Sequence, residues 1–171
     1  EITRFKCRIV QRGDRLINGI HYTETFAPVV AHATIRLLLS VAAVLNMPLH
    51  QFDVKTAFLY ADLDEEIYMR APQGFEVLDE SGKPMYWRLH KCLYGCPQAP
   101  RQWYKCLAAY FKGKGYGISP AYPCLFVKRL SDTELIIAVI YVDDIIVATT
   151  SAELIANFRQ DIKDAFEVTD Q

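Results

Sequence analysis

The stretch ELIIAVIYVDDIIVATT, residues 134–150, places two strongly apolar runs on either side of the adjacent carboxylates Asp143 and Asp144. Each run is rich in Ile, Val and Ala and has the length of one β-strand, so the stretch predicts a hairpin with a tight turn at the acids. Aspartate suits such a turn because it tolerates positive φ and bonds to its own backbone. Turn chemistry explains one acid better than two, because adjacent like charges repel. A divalent cation would relieve that repulsion.

Asp53 is a third carboxylate at the end of an apolar segment, LHQFDVKTAFL at residues 49–59. The segment predicts a buried strand that turns into a short helix, where Asp53 could act as the helix N-cap. If Asp53 instead lay beside the hairpin turn, three carboxylates would meet at strand ends. Such a set suits two metal ions about 3.5–4 Å apart that assist a phosphoryl transfer. On the residues alone, both interpretations stay open.

The remaining pattern predicts an α+β fold, with a mostly antiparallel sheet backed by helices. Helices are expected at residues 33–46 and 98–115, and a third after a capping box at Thr150–Glu153. Alternating basic and apolar residues at 4–10 predict an exposed strand. Further strands are expected within 65–72, 86–95 and 124–130.

Composition indicates a folded chain with an uneven charge distribution. The 171 residues are 51% hydrophobic and 23% charged with a net charge of −1, which argues against a disordered chain and predicts one domain, or one domain with two lobes. Residues 81–131 contain nine Lys or Arg and no acid, whereas acids concentrate at 62–66. This segregation predicts either a positive surface for nucleic acid or a set of solvated helix faces.

The cysteine pattern and the hydropathy predict where in the cell the chain is found. There are five cysteines without a CxxC pair, which predicts reduced thiols inside the cell and disfavours a disulfide framework or structural zinc. No apolar run reaches the roughly 18 residues that a membrane span requires, so no membrane partner is expected. The chain opens on EITRFK without an initiator Met, and we expect it to be a piece of a longer polypeptide.

The motif YVDD and five further blocks, in order along the chain, resemble copia-type retrotransposon reverse transcriptases. The resemblance implies the fingers and palm of a right-hand polymerase, with fingers at about residues 1–28 and 61–102 and palm at about 29–60 and 103–171. It implies an RNA-directed DNA polymerase within a retrotransposon polyprotein. The blocks are KCRIVQRGDRLINGIHYTETFAPVV (6–30), FDVKTAFL (52–59), EEIYMRAPQGFE (65–76), LYGCPQAPRQWY (93–104), YPCLFV (122–127) and YVDD (141–144).

The resemblance also implies roles for individual residues around two Mg²⁺ ions, for which Mn²⁺ can substitute. Asp53, Asp143 and Asp144 take the positions of the metal ligands, and the Val54 carbonyl completes one metal shell. Phe58 takes the position of a steric gate against the ribose 2′-hydroxyl, although core packing is an alternative role for its ring. The remaining positions are a primer contact at Tyr141, nucleotide contacts at Gln98 and Arg101, and a triphosphate contact at one of Lys6, Arg8 and Arg12.

The implied partners are an RNA or DNA template with its primer, deoxynucleoside triphosphates, and the rest of the polyprotein with its thumb, RNase H and integrase. The implied setting is a virus-like particle in the cytoplasm, or the nucleus. Two departures from the family pattern, Tyr60-Ala61 and Cys96-Pro97, leave room for a catalytically inactive remnant that binds nucleic acid. A two-metal nuclease and a small module whose Asp pair is only a turn are further alternatives.

Overall fold

The structure of the chain, a computed structural model, describes Phe5 and residues 7–171. It confirms the predicted α+β fold. No helix among these described residues is long and apolar enough to cross a membrane. The described residues form helices α1 (His32–Val44), α2 (Ala99–Gly113) and α3 (Ala152–Ala165), short 3-10 helices at Gly13–Arg15 and Ala57–Tyr60, and strands β1 (Leu49–Val54), β2 (Asp62–Arg70), β3 (Tyr86–Lys91), β4 (Gly117–Ser119), β5 (Tyr122–Arg129), β6 (Leu135–Tyr141), β7 (Asp144–Thr149) and β8 (Val168–Asp170).

The larger sheet is antiparallel, with strand order β4-β5-β6-β7-β1-β8. Strands β6 and β7 form the predicted hairpin, with Tyr141 opposite Asp144. Strand β1 comes from early in the chain and lies between β7 and β8. The hairpin is rich in β-branched residues, and its two strands form the buried centre of the sheet. Strand β7 is therefore a rigid support for the side chain of its first residue, Asp144.

Helices cover both faces of this sheet. Alternate residues of a strand point to opposite faces, so Ile137 and Val139 lie on one face and Ala138 and Ile140 on the other. Leu38 and Ala42 of α1 pack on the first face, in a cluster with Ile137 and Val139. On the other face, Phe111 of α2 packs against Phe126 of β5, with ring centroids 4.6 Å apart, and Phe158 of α3 packs against Phe52 of β1 at 5.3 Å.

The second sheet is a two-stranded ribbon of β2 and β3. Ion pairs across the ribbon join Arg88 to Glu66 and Lys91 to Asp62, each at 2.6 Å. The acids that the sequence concentrates at 62–66 therefore meet cations from the acid-free stretch 81–131. This pairing leaves less unpaired positive charge in that stretch than its composition suggested.

The chain divides into two compact units. Unit 1 comprises Glu1–Phe26 and Phe58–Trp103, and unit 2 comprises Ala27–Ala57 and Tyr104–Gln171. The two-stranded ribbon belongs to unit 1 and the six-stranded sheet to unit 2. The assignment of fingers to about 1–28 and 61–102, and of palm to about 29–60 and 103–171, stays a prediction.

Three sequence-based expectations differ from the structure. The strand expected at 4–10 is wrong for residues 7–10, which are exposed and irregular; residues 4 and 6 lie outside the described part. Helix α3 is capped by Ser151, whose hydroxyl accepts from the Leu154 N–H at 3.2 Å, so the N-cap lies one residue after the predicted Thr150. The short strands β4 and β8 were not expected.

Candidate active site

Asp53 and Asp144 face each other on neighbouring strands. The ladder between β1 and β7 pairs Leu49 with Ala148 and continues in register until Asp53 lies opposite Asp144. Directly opposite residues of an antiparallel pair have Cα atoms roughly 4.5–5.5 Å apart. Asp53 lies inside β1, four residues before the 3-10 helix at Ala57, so it does not act as the N-cap of that helix. Backbone pairing therefore brings the third carboxylate to the hairpin.

Neither aspartate of the β6–β7 hairpin occupies the positive-φ position of its turn. Val142 has φ +57°, whereas neither Asp143 nor Asp144 adopts positive φ. A β-branched residue in this region is an unusual and strained choice, since Asn, Asp or Gly adopts it more readily. The ability of aspartate to adopt positive φ therefore does not explain the acid pair. The Asp143 carbonyl accepts from the Val54 N–H at 2.9 Å, which ties the turn to the end of β1.

The three aspartates are half-buried. The Gln51 side chain donates from Nε2 to Asp144 Oδ1 at 3.0 Å, which orients one carboxylate. Among the described residues, no three His, Cys, Asp or Glu side chains form a cage for a metal ion. Mg²⁺ is commonly held by one or two carboxylates completed by substrate phosphates, so hard oxygen ligands on adjacent strands fit it without a closed cage.

Phe58, Tyr94 and Arg8 form a stack in unit 1. The half-buried ring of Phe58 lies against Tyr94, with centroids 4.8 Å apart and planes tilted by 57°. The Arg8 guanidinium carbon lies 4.4 Å from the centroid of the same Tyr94 ring, within cation–π range. The predicted gate and one predicted triphosphate contact thus share one neighbour. Tyr94 had no role in the sequence-based predictions.

A cationic groove of about 830 Å³ lies between the segment 7–15 and strand β2. Four arginines line it, Arg8, Arg12, Arg15 and Arg70, together with the exposed ring of Tyr68. Arg12 donates to both carboxylate oxygens of Asp14, at 2.9 and 2.6 Å, and this hydrogen bonding holds the pKa of Asp14 below its ordinary range. Arg12 is therefore engaged within the chain, which favours Arg8 as the predicted triphosphate contact. Lys6 lies outside the described residues.

The N-terminal end of α2 is tied to strand β2 and to loops of unit 1. The Gln98 side chain is fully buried and donates from Nε2 to the His21 carbonyl and to Glu65, both at 3.4 Å, while its Oε1 has no partner in the described structure. Arg101 donates to the Phe26 carbonyl at 3.3 Å and pairs with Glu24. Nucleotide contacts at Gln98 and Arg101 stay predictions, and both would require these side chains to exchange partners.

The remaining predicted positions are placed without their roles being tested. Tyr141 is the last residue of β6, lies directly opposite Asp144 and has about half of its surface exposed. This position is compatible with a primer contact, which stays a prediction. The Val54 side chain is buried and its residue pairs with Val168 of β8. Ala61, part of one departure from the family pattern, does not adopt positive φ, so its methyl group causes no backbone strain there.

Comparisons with known proteins identify the family. The model of the family described as "Reverse transcriptase (RNA-dependent DNA polymerase)" matches residues 1–171. The chain belongs to the reverse transcriptase family. Similar proteins include the retrovirus-related Pol polyprotein from transposon TNT 1-94 of Nicotiana tabacum, 42% identical over 99% of this chain, and that from transposon RE1 of Arabidopsis thaliana, 35% identical over 99%. The Transposon Ty1-ER2 Gag-Pol polyprotein of Saccharomyces cerevisiae is 32% identical over 82%.

This reverse transcriptase segment spans a small part of the relatives that it matches, 13% of the tobacco polyprotein, 11% of the Arabidopsis polyprotein and 8% of the yeast polyprotein. The predicted membership of a copia-type family is confirmed by these matches. Sequence reasoning missed Tyr94 and Gln51, whose contacts join positions far apart in the chain. The one available signal was that Tyr94 precedes a glycine inside a family block.

Proposed function

We propose that this segment forms the catalytic part of a retrotransposon polyprotein and adds deoxynucleotides to a primer 3′-end under the direction of an RNA or DNA template. The observation that carries the proposal is the β1–β7 register, which sets Asp53 opposite Asp144 at the mouth of the YVDD hairpin. The positive φ at Val142 supports it, because the turn uses neither aspartate at its left-handed position.

Divalent ions complete the proposed chemistry. Asp53, Asp143 and Asp144, with the Val54 carbonyl, would hold two Mg²⁺ ions or Mn²⁺ in their place. When bound, such ions supply positive charge to the attacking 3′-hydroxyl and to the leaving pyrophosphate. The protein contributes position: the buried strands hold the acids, and the hydrogen bond from Gln51 orients Asp144.

The other residues bind and select the substrates. Phe58 would exclude a ribose 2′-hydroxyl, Tyr141 would support the primer terminus, and Arg8 would contact the triphosphate. In the cationic groove, Arg8, Arg15 and Arg70 offer phosphate contacts, and the Tyr68 ring offers a stacking surface for an unpaired nucleic-acid strand. The remaining polyprotein would supply the thumb, RNase H and integrase, within a cytoplasmic virus-like particle or the nucleus.

Primer extension by the complete parent polyprotein tests the proposal. We expect template-dependent extension with Mg²⁺, and a loss of at least roughly 100-fold in the Asp143→Asn variant because a ligand charge disappears. Asp132→Asn is the matched control, since Asp132 is exposed in the loop between β5 and β6. A wild-type protein inactive with both Mg²⁺ and Mn²⁺, or an Asp143→Asn variant of full activity, would overturn it.

A catalytically inactive remnant that binds nucleic acid is the second candidate. The burial of Gln98 and its bonds to His21 and Glu65 favour it, because a nucleotide contact requires that side chain to be released. In that case the wild type binds a primer-template without extending it. A two-metal nuclease would instead cleave a labelled strand in the absence of nucleotides.

A further inference from the structure

Tyr94 contacts two of the unit 1 residues to which nucleotide contacts are ascribed, Arg8 and Phe58. One side of its ring meets the Arg8 guanidinium at 4.4 Å, and the Phe58 ring lies 4.8 Å away, centroid to centroid. Phe58 would meet the sugar of a nucleotide and Arg8 its phosphates. A single aromatic side chain therefore contacts both of the proposed selecting groups.

We propose that Tyr94 is a positioning residue for nucleotide selection, which fixes the Phe58 ring against a ribose 2′-hydroxyl and holds Arg8 ready for the triphosphate. This inference rests on the proposed function. Tyr94 does not itself touch the nucleotide. It acts through the two side chains that it contacts.

A steric gate discriminates against ribonucleotides only if its ring stays in place when a 2′-hydroxyl presses against it. Phe58 is half-buried, so surrounding core does not hold its ring on every side. If the ring could rotate away freely, a 2′-hydroxyl would enter and discrimination would fall. A tilted aromatic pair of this kind favours the held position by roughly 2- to 12-fold. The contact with Tyr94 therefore sets part of the selectivity that Phe58 can reach.

The contact with Arg8 has a similar effect on phosphate binding. Arg8 is exposed, and a free arginine side chain loses much rotamer freedom when it binds a ligand. The Tyr94 face restricts the guanidinium before a phosphate arrives. Exposed cation–π contacts correspond to roughly 2- to 5-fold in a binding constant. Loss of the ring should therefore weaken nucleotide binding as well as sugar selection.

The backbone of Tyr94 is fixed independently of its ring. The Tyr94 carbonyl accepts from the Gln11 N–H at 2.8 Å, and Gly95 adopts φ +94° with its Cα against the Gln11 carbonyl. A side-chain substitution at Tyr94 leaves these contacts in place. Tyr94→Leu thus removes the aromatic faces while it keeps an apolar side chain at the same backbone position.

Three variants of the complete parent polyprotein test the proposal in primer extension. For Tyr94→Leu we expect the ratio of kcat/KM for deoxynucleotide over ribonucleotide to fall roughly 3- to 10-fold, and KM for the deoxynucleotide to rise roughly 2- to 5-fold. Tyr94→Phe keeps the ring and should restore both values to near wild type. Tyr86→Leu, the same change at an exposed tyrosine of β3 in the same unit, is the matched control.

Double-mutant cycles separate positioning from general damage. If Tyr94 acts through Phe58, the loss of sugar discrimination in Tyr94→Leu and in Phe58→Leu will not add in the double variant. The same holds for KM with Arg8→Gln. Discrimination at the wild-type value in Tyr94→Leu, or fully additive effects in both cycles, would overturn the proposal.

A measurement without turnover distinguishes failure of this inference from failure of the proposed function. In NMR spectra of the 171-residue chain, Tyr94→Leu should shift the Phe58 ring protons and the Arg8 Nε–H, because both lie within the ring-current field of Tyr94. Tyr86→Leu should leave them unchanged. If these signals do not move, the stack is absent and the inference fails, whether or not the polyprotein extends a primer.

Discussion

Asp53 and Asp144 are placed where their charges destabilise the fold. Like charges directly opposite on a ladder are unfavourable by roughly 0.2–1 kcal/mol. Asp144→Asn removes one charge and keeps an oxygen that can accept from Gln51. We expect this variant to raise the free energy of unfolding by about 0.5 kcal/mol at low salt without divalent ions. Urea denaturation with and without Mg²⁺ measures the effect, and Mg²⁺ should reduce the difference.

Asp132→Asn provides the comparison for this stability prediction, because it removes a charge from an exposed loop of the same unit. It should change the free energy of unfolding by less than about 0.3 kcal/mol. If Asp144→Asn proves less stable than this control, repulsion between the opposed carboxylates is not a significant term.

Cys92 makes the stability of the fold sensitive to alkaline pH. Burial raises the pKa of its thiol to about 12 from an ordinary value of 9.0. Below pH 9 the thiol is protonated in both states, so its contribution to stability is fully present. Between pH 9 and 12 only the unfolded chain releases the proton, so the free energy of unfolding should fall by up to about 1.4 kcal/mol per pH unit from this group.

Denaturation at pH 8, 9.5 and 11 tests the prediction for Cys92. Burial also raises the pKa values of Tyr110 and Tyr116, which add to the loss in the same direction. Cys92→Ala should be less stable than wild type at pH 8 because it leaves a cavity, but its stability should fall less between pH 9.5 and 11. Equal pH slopes for the two proteins would contradict the assignment.

At the scale of elements, two glycines allow the N-terminal segment 7–15 to pack closely on the loop between β3 and α2. A Cβ on Gly95 would lie 2.1 Å from the Gln11 carbonyl oxygen, and one on Gly13 would lie 2.0 Å from the Gly95 carbonyl oxygen. Gly95→Ala adds this clash to a backbone at φ +94°. We expect a loss of about 1–3 kcal/mol in the free energy of unfolding, measured by urea denaturation.

Gly113→Ala is the control for the Gly95 prediction. A Cβ at Gly113, the last residue of α2, meets nothing within 4 Å, and its φ is not positive. Alanine there should be neutral or slightly stabilising, because it reduces the freedom of the unfolded chain. If both variants lose the same stability, backbone docking at Gly95 is not the cause.

The elements that sequence could predict are those with long, regular patterns. The hairpin of β6 and β7 and helices α1, α2 and α3 were expected from hydrophobic periodicity. The segment at 7–10 also alternates, yet it forms no strand, because the chain next to it docks through backbone contacts at Gly13 and Gly95 rather than through a ladder. Strands β4 and β8 have three residues each, too few for a period to be recognised.

The same distinction applies to the candidate site. Asp143 and Asp144 could be singled out because they interrupt apolar strands, and Asp53 because it ends one. The register that opposes Asp53 to Asp144 could not be derived, since β1 pairs with a strand far along the chain. Tyr94 could not be found either, because a stack between Arg8, Tyr94 and Phe58 leaves no regular spacing in the sequence.

For the molecule as a whole, the net charge does not describe how positive charge is distributed over the surface. The chain carries a net charge of −1, yet four arginines line one groove. Binding of a single-stranded oligonucleotide should weaken with salt, with a slope of log K against log salt of about −2 to −3 if most of these arginines contact phosphates. Fluorescence anisotropy at several salt concentrations measures this slope.

Arg70 lines the groove and has no other role in the proposed function, so it is suited to a test of oligonucleotide binding there. Arg70→Gln should make the slope shallower by about 0.7, the contribution of one phosphate contact on a single strand. Arg129→Gln removes the same charge from an exposed position at the end of β5 and should leave the slope unchanged. Oligonucleotide binding that is independent of salt, or equal effects of the two variants on the slope, would show that the groove does not bind the oligonucleotide.

The pairing of Asp53 with Asp144 also affects when the candidate site forms during folding. Gln51 and Asp144, which bond across the same ladder, are 93 residues apart in the chain. Strand β1 leaves the ribosome early but has no β7 to pair with until residues 144–149 have been made. Closing so long a loop is slow compared with forming a helix or a local hairpin. We therefore expect the proposed metal ligands to come together only after the helices and the β6–β7 hairpin of unit 2 have formed.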